Sequence, residues 1–509
     1  MMDGQGKSDS PIVPVKSPNN AALAAAEAME GRGGAKGNAV RGSTCQTQSW
    51  ESVSPALDRI RETARRDKRV RFTALLHHVT VDLLRRSFYQ LQRRAAAGID
   101  GVTWDQYETG LESNLTDLHG RVQRGAYRAK PSRRQYIPKP DGRQRPLGIA
   151  ALEDKIVQRA VVEILNAIYE TDFLGFSYGF RPGRSQHQAL DALATAIYRR
   201  KVNWILDADI RAFFDSVSWE WLVRFLEHRI ADRRLVRLIG KWLKAGVLED
   251  GRLLEVERGT PQGAVISPVL ANIYLHYVYD LWVHQWRRRH AGGEVIVVRY
   301  ADDTVVGFQH RSDAERFLDE LRQRLRRFGL ELHPQKTRII EFGRLAARKR
   351  KARNLGKPET FAFLGFTHIC GTSRGGTFLI LRHTVRERLR EKLRQVKETI
   401  WRMMHRPIAE QGLYLKRVVN GFLNYFAVPT NSKAINSFYR HVGWYWCRAL
   451  RRRGQISRLT WQRMKRLTDL WLPPARLRHP LPDVRFSVMT RGRRFYAAPD
   501  GYDASVSGS

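Results

Sequence analysis

Residues 295–308 read VIVVRYADDTVVGF. Two apolar runs rich in β-branched residues flank the tetrapeptide Tyr300-Ala301-Asp302-Asp303. The pattern predicts a β-hairpin with two adjacent carboxylates at its turn. Two carboxylates at the tip of an apolar hairpin repel each other unless a cation lies between them, which favours a divalent metal site used in phosphoryl transfer. The alternative is a solvated Asp-Asp turn.

A second candidate strand also ends in acidic residues. Residues 204–210 read WILDADI, and RAFFD follows. A strand that ends in Asp before a tight aromatic turn suits a metal aspartate beside a flat-walled nucleotide pocket. Asp207, Asp209 and Asp215 are all candidates, and each has the alternative of a helix cap or a loop acid. The residue pattern alone does not choose among the three.

A loop rich in Gly and Pro lies between these two segments. Residues 259–268 read GTPQGAVISP and precede an apolar helical pattern from Val269 to about Trp286. Such a loop lets the backbone approach a base pair or a phosphate closely. The alternative is a plain turn.

The order of the segments carries more information than any one of them. DIRAFF, then GTPQGAVISPVLANIYL, then RYADD, resembles the reverse transcriptases encoded by group II introns. Residues 136–149 and 178–185 are similar to that family's fingers motifs, and residues 329–337 and 363–366 to its later palm motifs. The resemblance extends from about residue 75 to about residue 480. It implies an α+β right-hand polymerase, with fingers and an antiparallel palm sheet followed by an all-helical thumb and maturase domain.

The resemblance also assigns the metal site. It implies that Asp209, Asp302 and Asp303 hold two Mg²⁺ ions, with the backbone carbonyl of Ile210 as an extra ligand. The ions would bridge the incoming triphosphate and the primer 3′ hydroxyl. Lys336 would donate a proton to the pyrophosphate, with a solvated strand end as the alternative.

The same resemblance implies a nucleotide pocket. A bulky ring at Phe214 would lie under the sugar and exclude a 2′ hydroxyl, with a core aromatic as the alternative. Cations of the fingers motif would hold the triphosphate, and the Gly-rich loop would border the nascent base pair. The full predicted set is Lys139, Arg145, Phe213, Phe214, Gln262 and Gly263.

Composition agrees with a nucleic-acid partner. The chain has 509 residues, with 89 Lys+Arg against 50 Asp+Glu and a formal net charge of +39, which favours a polyanion. Three cysteines (Cys45, Cys370 and Cys447) form no CxxC pair, which argues against a zinc module and fits a reducing compartment. The sequence has no apolar run of membrane-spanning length and no secretory signal pattern, so we expect a cytoplasmic, nucleoid-associated protein without membrane contact.

Five segments are predicted along the chain. They are a disordered tail at 1–48, a helical extension of the fingers at 49–125, the fingers and palm at 126–375, a helical thumb and maturase domain at 376–480, and a short basic tail at 481–509. A basic loop is expected at 344–357, and a wholly helical pattern after residue 380. The C-terminal part has no His-Asn-His pattern and no Cys-paired zinc module, so no endonuclease domain is expected.

The segment 441–480 is rich in basic residues and contains four tryptophans, a combination that can neutralise phosphates and stack on unpaired bases. The alternative places each tryptophan in the core of a small helical domain. The candidate RNA-binding residues are Arg448, Arg451, Arg452, Arg453, Lys465 and Arg466.

The sequence thus predicts an RNA-directed DNA polymerase of a group II intron. The expected partners are intron RNA, an RNA template with a DNA primer, target DNA and dNTPs. The alternatives are a splicing maturase without useful polymerisation, and a domesticated reverse transcriptase in phage defence or repair.

Overall fold

The computed structural model describes residues 55–138, 144–249, 252–254, 257–373, 375–454 and 459–491. The predicted tail at 1–48, the fingers residue Lys139 and the basic end of the chain beyond Arg491 lie outside these ranges. The described chain mixes helices and sheets, as the predicted α+β class requires. Within these ranges, no helix combines the length and the apolar character needed to cross a bilayer.

A four-stranded antiparallel sheet lies at the centre of the molecule. The strands are β3 (Trp204–Asp209), β6 (Val295–Tyr300), β7 (Asp303–Phe308) and β8 (Arg338–Glu341), in the order β6-β7-β3-β8. The predicted hairpin is confirmed as β6 and β7, in a register that pairs Tyr300 with Asp303. The two faces of the sheet pack against different cores: Leu206 and Val306 face one, and Ile205 and Val305 the other.

The remaining strands form two further sheets. The first has the order β2-β1-β4-β5, from β1 (Ser132–Pro138), β2 (Gln144–Ile149), β4 (Val247–Glu249) and β5 (Arg252–Leu254). The second has the order β11-β10-β9, from β9 (Phe361–Phe363), β10 (Phe366–Thr372) and β11 (Phe378–Thr384).

Helices cover the central sheet and form the N-terminal part of the described chain. The helical pattern predicted from Val269 to about Trp286 is confirmed, with a π-helical turn at His276–Asp280 inside it. The helices are α1 (Pro55–Arg66), α2 (Val81–Gln90), α3 (Trp104–Glu108), α4 (Leu111–Gln123), α5 (Leu152–Tyr169), α6 (Gln186–Arg199), α7 (Phe213–Ser216), α8 (Trp219–Glu227), α9 (Arg233–Lys244), α10 (Ser267–Leu275), α11 (Leu281–Arg289) and α12 (Arg311–Arg327).

The C-terminal part is mainly helical and has a core of its own. Its helices are α14 (Arg386–Arg402), α15 (Ile408–Phe426), α16 (Ser432–Arg451), α17 (Trp461–Trp471) and α18 (Pro482–Arg491). The first four bury Val396, Val419, Phe438 and Met464 together. Helix α18 instead contacts α6, beside the central sheet.

Three predictions of local structure were wrong in detail. The expected loop at 344–357 is helical over most of its length, as α13 (Arg344–Ala352), because Ala346 is buried and anchors one face of the segment. The wholly helical pattern starts at Arg386, since β11 continues to Thr384 by pairing with β10. The predicted basic tail contains α18, which lies against α6 and carries an ion pair from Arg485 to Asp191.

Candidate active site

The sheet register brings the predicted carboxylates to one edge. Asp209 at the end of β3 is the cross-strand partner of Asp303 at the start of β7. Directly opposed residues on neighbouring strands point to the same face, with Cβ atoms about 5 Å apart. Asp302 lies in the turn just before Asp303 and lines the cleft at this edge. The three predicted metal aspartates are therefore neighbours in space.

Burial and like charge raise the pKa values of Asp302 and Asp303. The Asp303 side chain reaches solvent, yet the surrounding protein desolvates it and Asp302, Asp209 and Asp207 add like charge, which raises its pKa to about 7. Desolvation and the charge of Asp209 raise the pKa of Asp302 as well. Such mutual repulsion is typical of a cluster that is complete only with a cation.

Asp207 is a fourth acidic residue of this cluster. It lies two residues before Asp209 on β3, so both side chains project from the same face of the strand. Desolvation raises the pKa of Asp207 to about 6, with the charge of Arg338 opposing the shift. Side chains alternate between the two faces of a strand, so the sequence alone could have placed Asp207 on the same face as Asp209. The family resemblance, in contrast, selected Asp209 from this strand.

Lys336 contacts the cluster directly. Its ammonium forms an ion pair with Asp209 Oδ2. The Asp209 carbonyl in turn accepts a hydrogen bond from the His333 backbone N–H at 2.8 Å. A second bond, from the Arg211 N–H to the Glu331 carbonyl at 2.8 Å, fixes the backbone on the other side of Ile210.

The oxygen atoms of these residues are chemically suited to bind a hard divalent cation. Carboxylate and carbonyl oxygens are the ligands that Mg²⁺ prefers. Lys336 already places one positive charge on Asp209, which shows that the cluster accepts a cation. Within the described chain, however, no three acidic, His or Cys side chains converge closely enough to hold an ion as they stand. Binding two ions would therefore require side-chain rotation.

A buried network holds the acidic turn in place. The Arg299 guanidinium, 1% exposed, donates to both carboxylate oxygens of Asp280 at 2.7 and 2.6 Å. It also donates to Ser177 Oγ at 2.7 Å and to the Ala301 carbonyl oxygen at 2.9 Å. Since Ala301 precedes Asp302 and has a positive φ of 56°, the Arg299 side chain stabilises an unfavourable backbone conformation beside the carboxylates.

The π-helical turn explains how Asp280 reaches Arg299. Arg299 also donates to Asn272 Oδ1 at 3.2 Å, so two residues eight positions apart bind one guanidinium. Eight α-helical steps turn about 800°, which is about 80° beyond two full turns. A π-helical turn accommodates an additional residue and so removes most of that excess. The sequence offered no direct signal for this turn or for the buried pair.

A second contact, from the segment 177–179, also positions the acidic turn. The Ser177 strand segment pairs in parallel with Arg299, and the Tyr178 N–H donates to the Arg299 carbonyl at 2.9 Å. At Gly179 the two chains approach so closely that a Cβ atom would lie 2.2 Å from the Ala301 nitrogen. The Gly179 carbonyl also accepts a hydrogen bond from Asn272 Nδ2 at 2.8 Å. A residue without a side chain is therefore required here.

A cleft of about 650 Å³ opens next to the carboxylates. It joins the central sheet to β2 and to the loop before α10. Phe214 is partly exposed in it, whereas Phe213 is 2% exposed and packs mainly into the core. Except for Lys139, which is outside the described ranges, the predicted nucleotide-binding residues line this cleft: Arg145, Phe213, Phe214, Gln262 and Gly263.

The Gly-rich loop is bonded to both walls of the cleft. The Thr260 N–H donates to the Phe214 carbonyl at 2.7 Å, and Gln262 Nε2 donates to Asp215 at 3.2 Å. The Gln262 carbonyl accepts from the Gly148 N–H at 2.6 Å. Asp215, left open by the sequence as a metal ligand, instead orients the Gln262 side chain. The loop is therefore hydrogen-bonded to the Phe214–Asp215 segment on one side and to β2 on the other.

The predicted RNA-binding residues lie together at one end of the C-terminal helices. Arg448 stacks on Trp444 and Arg451 on Trp461, two tryptophans that are 42% and 60% exposed. Lys465 and Arg466 are also exposed, on α17.

The remaining members of that set have structural contacts. Arg453 donates to the Met404 carbonyl at 2.6 Å and to the Arg406 carbonyl, near the end of α14. Arg452 stacks on Trp401 at 4.9 Å. The core alternative holds for Trp446, which is fully buried and donates to Gln411 at 2.9 Å.

Comparison with known proteins identifies the domain that contains this cleft. Residues 137–368 match the family described as reverse transcriptase (RNA-dependent DNA polymerase). Protein YkfC of Escherichia coli is 39% identical over 191 residues, which are 37% of this chain and 50% of that protein. The group II intron-encoded protein LtrA of Lactococcus lactis is 35% identical over 222 residues, 43% of this chain and 37% of LtrA.

Similarity extends to proteins of fungal introns. The "Uncharacterized 91 kDa protein in cob intron" of Schizosaccharomyces pombe is 45% identical over 178 residues, 35% of this chain and 21% of that protein. The chain spans half or less of the length of these relatives. Residues 137–368 are therefore similar to reverse transcriptases, and this part of the chain resembles proteins encoded by introns.

Proposed function

We propose that this protein is an RNA-directed DNA polymerase of a group II intron, which copies RNA into DNA and also binds intron RNA. The observation that carries the proposal is the cross-strand pairing of Asp209 with Asp303, next to Asp302 and at the mouth of the cleft. Phosphoryl transfer depends mainly on positioning and on charge stabilisation, and both can be supplied by such a carboxylate edge.

The proposed site consists of groups that the fold already brings together. Asp209, Asp302 and Asp303 would hold two Mg²⁺ ions, with the Ile210 carbonyl as an additional ligand. When bound, the ions would activate the primer 3′ hydroxyl and neutralise the pyrophosphate. Lys336 would then leave Asp209 and face the leaving group, where its ammonium can donate a proton.

The cleft walls support binding of a nucleoside triphosphate. Arg145, on β2, lines the cleft, and its positive charge partly offsets the rise in the pKa of Asp302. It would therefore contact the phosphates of a nucleotide held there. Phe214 offers a ring face under the sugar, and its backbone is fixed by Thr260. Gln262 and Gly263 would border the new base pair. Lys139 would assist Arg145 as a second phosphate contact.

A right-hand arrangement follows from this assignment. The central sheet would be the palm, β1 and β2 with the N-terminal helices the fingers, and α14–α17 the thumb and maturase region. The cation-stacked Trp444 and Trp461 would bind intron RNA, since their rings remain accessible while Arg448 and Arg451 supply charge. DNA primers, dNTPs and target DNA would be the further partners.

Primer extension on an RNA template tests the proposal. We expect wild-type protein to extend a DNA primer with dNTPs and Mg²⁺, and Asp302→Ala to abolish extension while leaving RNA affinity within a factor of about two, because this carboxylate binds metal and not RNA. Asp319→Ala, an exposed carboxylate on α12, is the matched control and should extend normally. Failure of wild type to extend, with tight intron RNA binding, would instead support a maturase without polymerisation.

A further inference from the structure

Phe180 is an exposed aromatic residue at the wall of the cleft. It is 42% exposed and lines the cleft together with Phe214 and Asp302. Its φ of 57° lies in the left-handed region, which a bulky residue rarely adopts. A ring that is so exposed contributes little hydrophobic stabilisation to offset an unfavourable backbone conformation. Folding alone therefore does not explain a phenylalanine at this position.

The backbone is held on both sides of Phe180. Two residues before it, the Tyr178 N–H donates to the Arg299 carbonyl at 2.9 Å. One residue after it, the buried Arg181 guanidinium donates to the Ser177 carbonyl at 2.8 Å. A change of φ at Phe180 would disturb these contacts, so the surrounding chain imposes the left-handed conformation.

Glycine would fit the same conformation without strain, because it has no Cβ atom. The segment already contains two glycines: Gly179 lies against the acidic turn, and Gly183 has a φ of 67°. Position 180, between them, instead carries the largest side chain of this turn that faces the cleft. The ring is the one property of Phe180 that glycine could not supply.

The Phe180 ring contacts the ring of Phe214. Their centres are 6.4 Å apart and their planes meet at 70°, a favourable edge-to-face arrangement. Phe214 makes a similar contact with the buried ring of Phe213, at 5.5 Å and 66°. The Phe214 ring is therefore restrained by one ring that belongs to the core and by another that lines the cleft.

We propose that Phe180 is a positioning residue that determines sugar specificity, because it holds the Phe214 ring where that ring excludes a 2′ hydroxyl. The inference rests on the proposed function, in which Phe214 lies under the sugar of the incoming nucleotide. A ring excludes one oxygen atom only if it keeps its orientation. Without the Phe180 ring, Phe214 can rotate, and the cleft accepts ribonucleotides more readily.

Single-nucleotide extension of a DNA primer opposite a template uridine tests this role. The ratio of kcat/KM for dATP to kcat/KM for ATP measures the discrimination between the two sugars. We expect Phe180→Ala and Phe180→Gly each to lower this ratio by roughly tenfold, through a rise in kcat/KM for ATP. Phe180→Tyr keeps a ring and should keep the ratio. The matched control is Tyr198→Ala, which removes a ring that is 41% exposed on α6 and should leave the ratio unchanged.

The alanine and glycine variants separate the ring from the backbone. Glycine adopts the left-handed conformation easily and alanine does not, so the thermal midpoint of Phe180→Gly should exceed that of Phe180→Ala. Discrimination should nevertheless fall equally in both, since both lack the ring. A loss in the alanine variant alone would assign the effect to backbone strain and overturn the proposal.

A double variant tests whether Phe180 acts through Phe214. Phe180→Ala/Phe214→Ala should discriminate no worse than Phe214→Ala, because the ring that Phe180 positions is already absent. A further loss in the double variant, or equal losses with dATP and ATP in Phe180→Ala, would overturn the positioning role. If wild type extends with dATP and the ratio is unchanged in Phe180→Ala and Phe180→Gly, this inference alone fails. If wild type does not extend with dATP, the proposed function fails and the inference fails with it.

Discussion

At the scale of single residues, Arg299 has the clearest measurable role. Replacing it with Met would leave the Asp280 carboxylate buried without its partner, which costs about 3–5 kcal/mol of folding stability. We expect the double variant Arg299→Met/Asp280→Leu to recover much of that loss, since no charge remains buried. Urea unfolding of the single and double variants measures both effects.

Primer extension separates positioning from stability in the same variants. The double variant still lacks the donor to the Ala301 carbonyl, so DNA synthesis should stay low and the Mg²⁺ concentration for half-maximal rate should rise. A folded double variant with wild-type Mg²⁺ dependence would show that Arg299 serves the fold alone.

Some residues around the site could be predicted from the sequence and others could not, for physical reasons. The hairpin and its Asp pair follow from local alternation of apolar residues, and the structure confirms that hairpin. Asp280 looked like an ordinary helix residue, because its role depends on a contact with Arg299, 19 positions away. The residue pattern alone did not choose between Asp209 and Asp215; the family resemblance selected Asp209, and the structure adds that Asp215 accepts a hydrogen bond from Gln262.

At the scale of elements, the contact between Gly179 and the acidic turn can be tested directly. Gly179→Ala would place a methyl group 2.2 Å from the Ala301 nitrogen, so the turn must shift. We expect DNA synthesis to fall at least tenfold and the thermal midpoint to drop. Gly240→Ala, in α9 with open space around it, should instead raise the midpoint slightly, as Ala favours helix by about 0.5–1 kcal/mol. Equal activity in both variants would contradict the close-contact argument.

The junction of α6, α15 and the C-terminal segment should be sensitive to acid. His187 stacks on His479 with ring centres 4.0 Å apart, and its Nε2 lies 2.9 Å from the Tyr425 carbonyl oxygen. Burial, together with the neighbouring His479, lowers the pKa of His187 to about 3, and burial lowers the pKa of His479 too. The charged groups around the pair are Arg382, Arg478, Arg485 and Asp191.

The sign of the pH effect follows from those lowered pKa values. In the unfolded chain the two histidines bind protons near pH 6.5, whereas in the folded chain they stay neutral to lower pH. The free energy of unfolding is therefore unaffected by the pair above about pH 6.5 and falls progressively below it. His187→Gln should flatten the fall in thermal midpoint between about pH 7 and pH 5. The exposed His405→Gln serves as the control, and identical slopes in wild type and both variants would exclude the pair as the cause.

Element boundaries were predictable where periodicity is strong and local. Strands β6 and β7 cover the two apolar runs predicted within residues 295–308. The segment 344–357 was predicted to be a loop because it is dense in Arg and Lys and has little apolar periodicity. Its short helix is anchored by one buried residue, Ala346. Helix α18 was missed because its partners on α6 are distant in sequence.

At the scale of the whole molecule, net charge should influence stability. A formal charge of +39 makes the folded state repel itself, and added salt screens that repulsion. We expect the thermal midpoint to rise between about 0.05 and 0.5 M NaCl at constant pH. Sucrose of equal osmolarity controls for solvent effects, and a midpoint that falls with salt would mean that native ion pairs outweigh the repulsion.

The π-helical turn at His276–Asp280 has a consequence for how the gene can change. Deleting one codon inside this turn, short of Asp280, would restore a regular α-helix with Asn272 and Asp280 seven positions apart. Seven α-helical steps turn about 700°, close to two full turns, so both side chains could still face Arg299. Inserting one codon would instead add about 100° between them and separate the two partners of Arg299. A one-residue deletion in this turn should therefore be tolerated far better than a one-residue insertion at the same place.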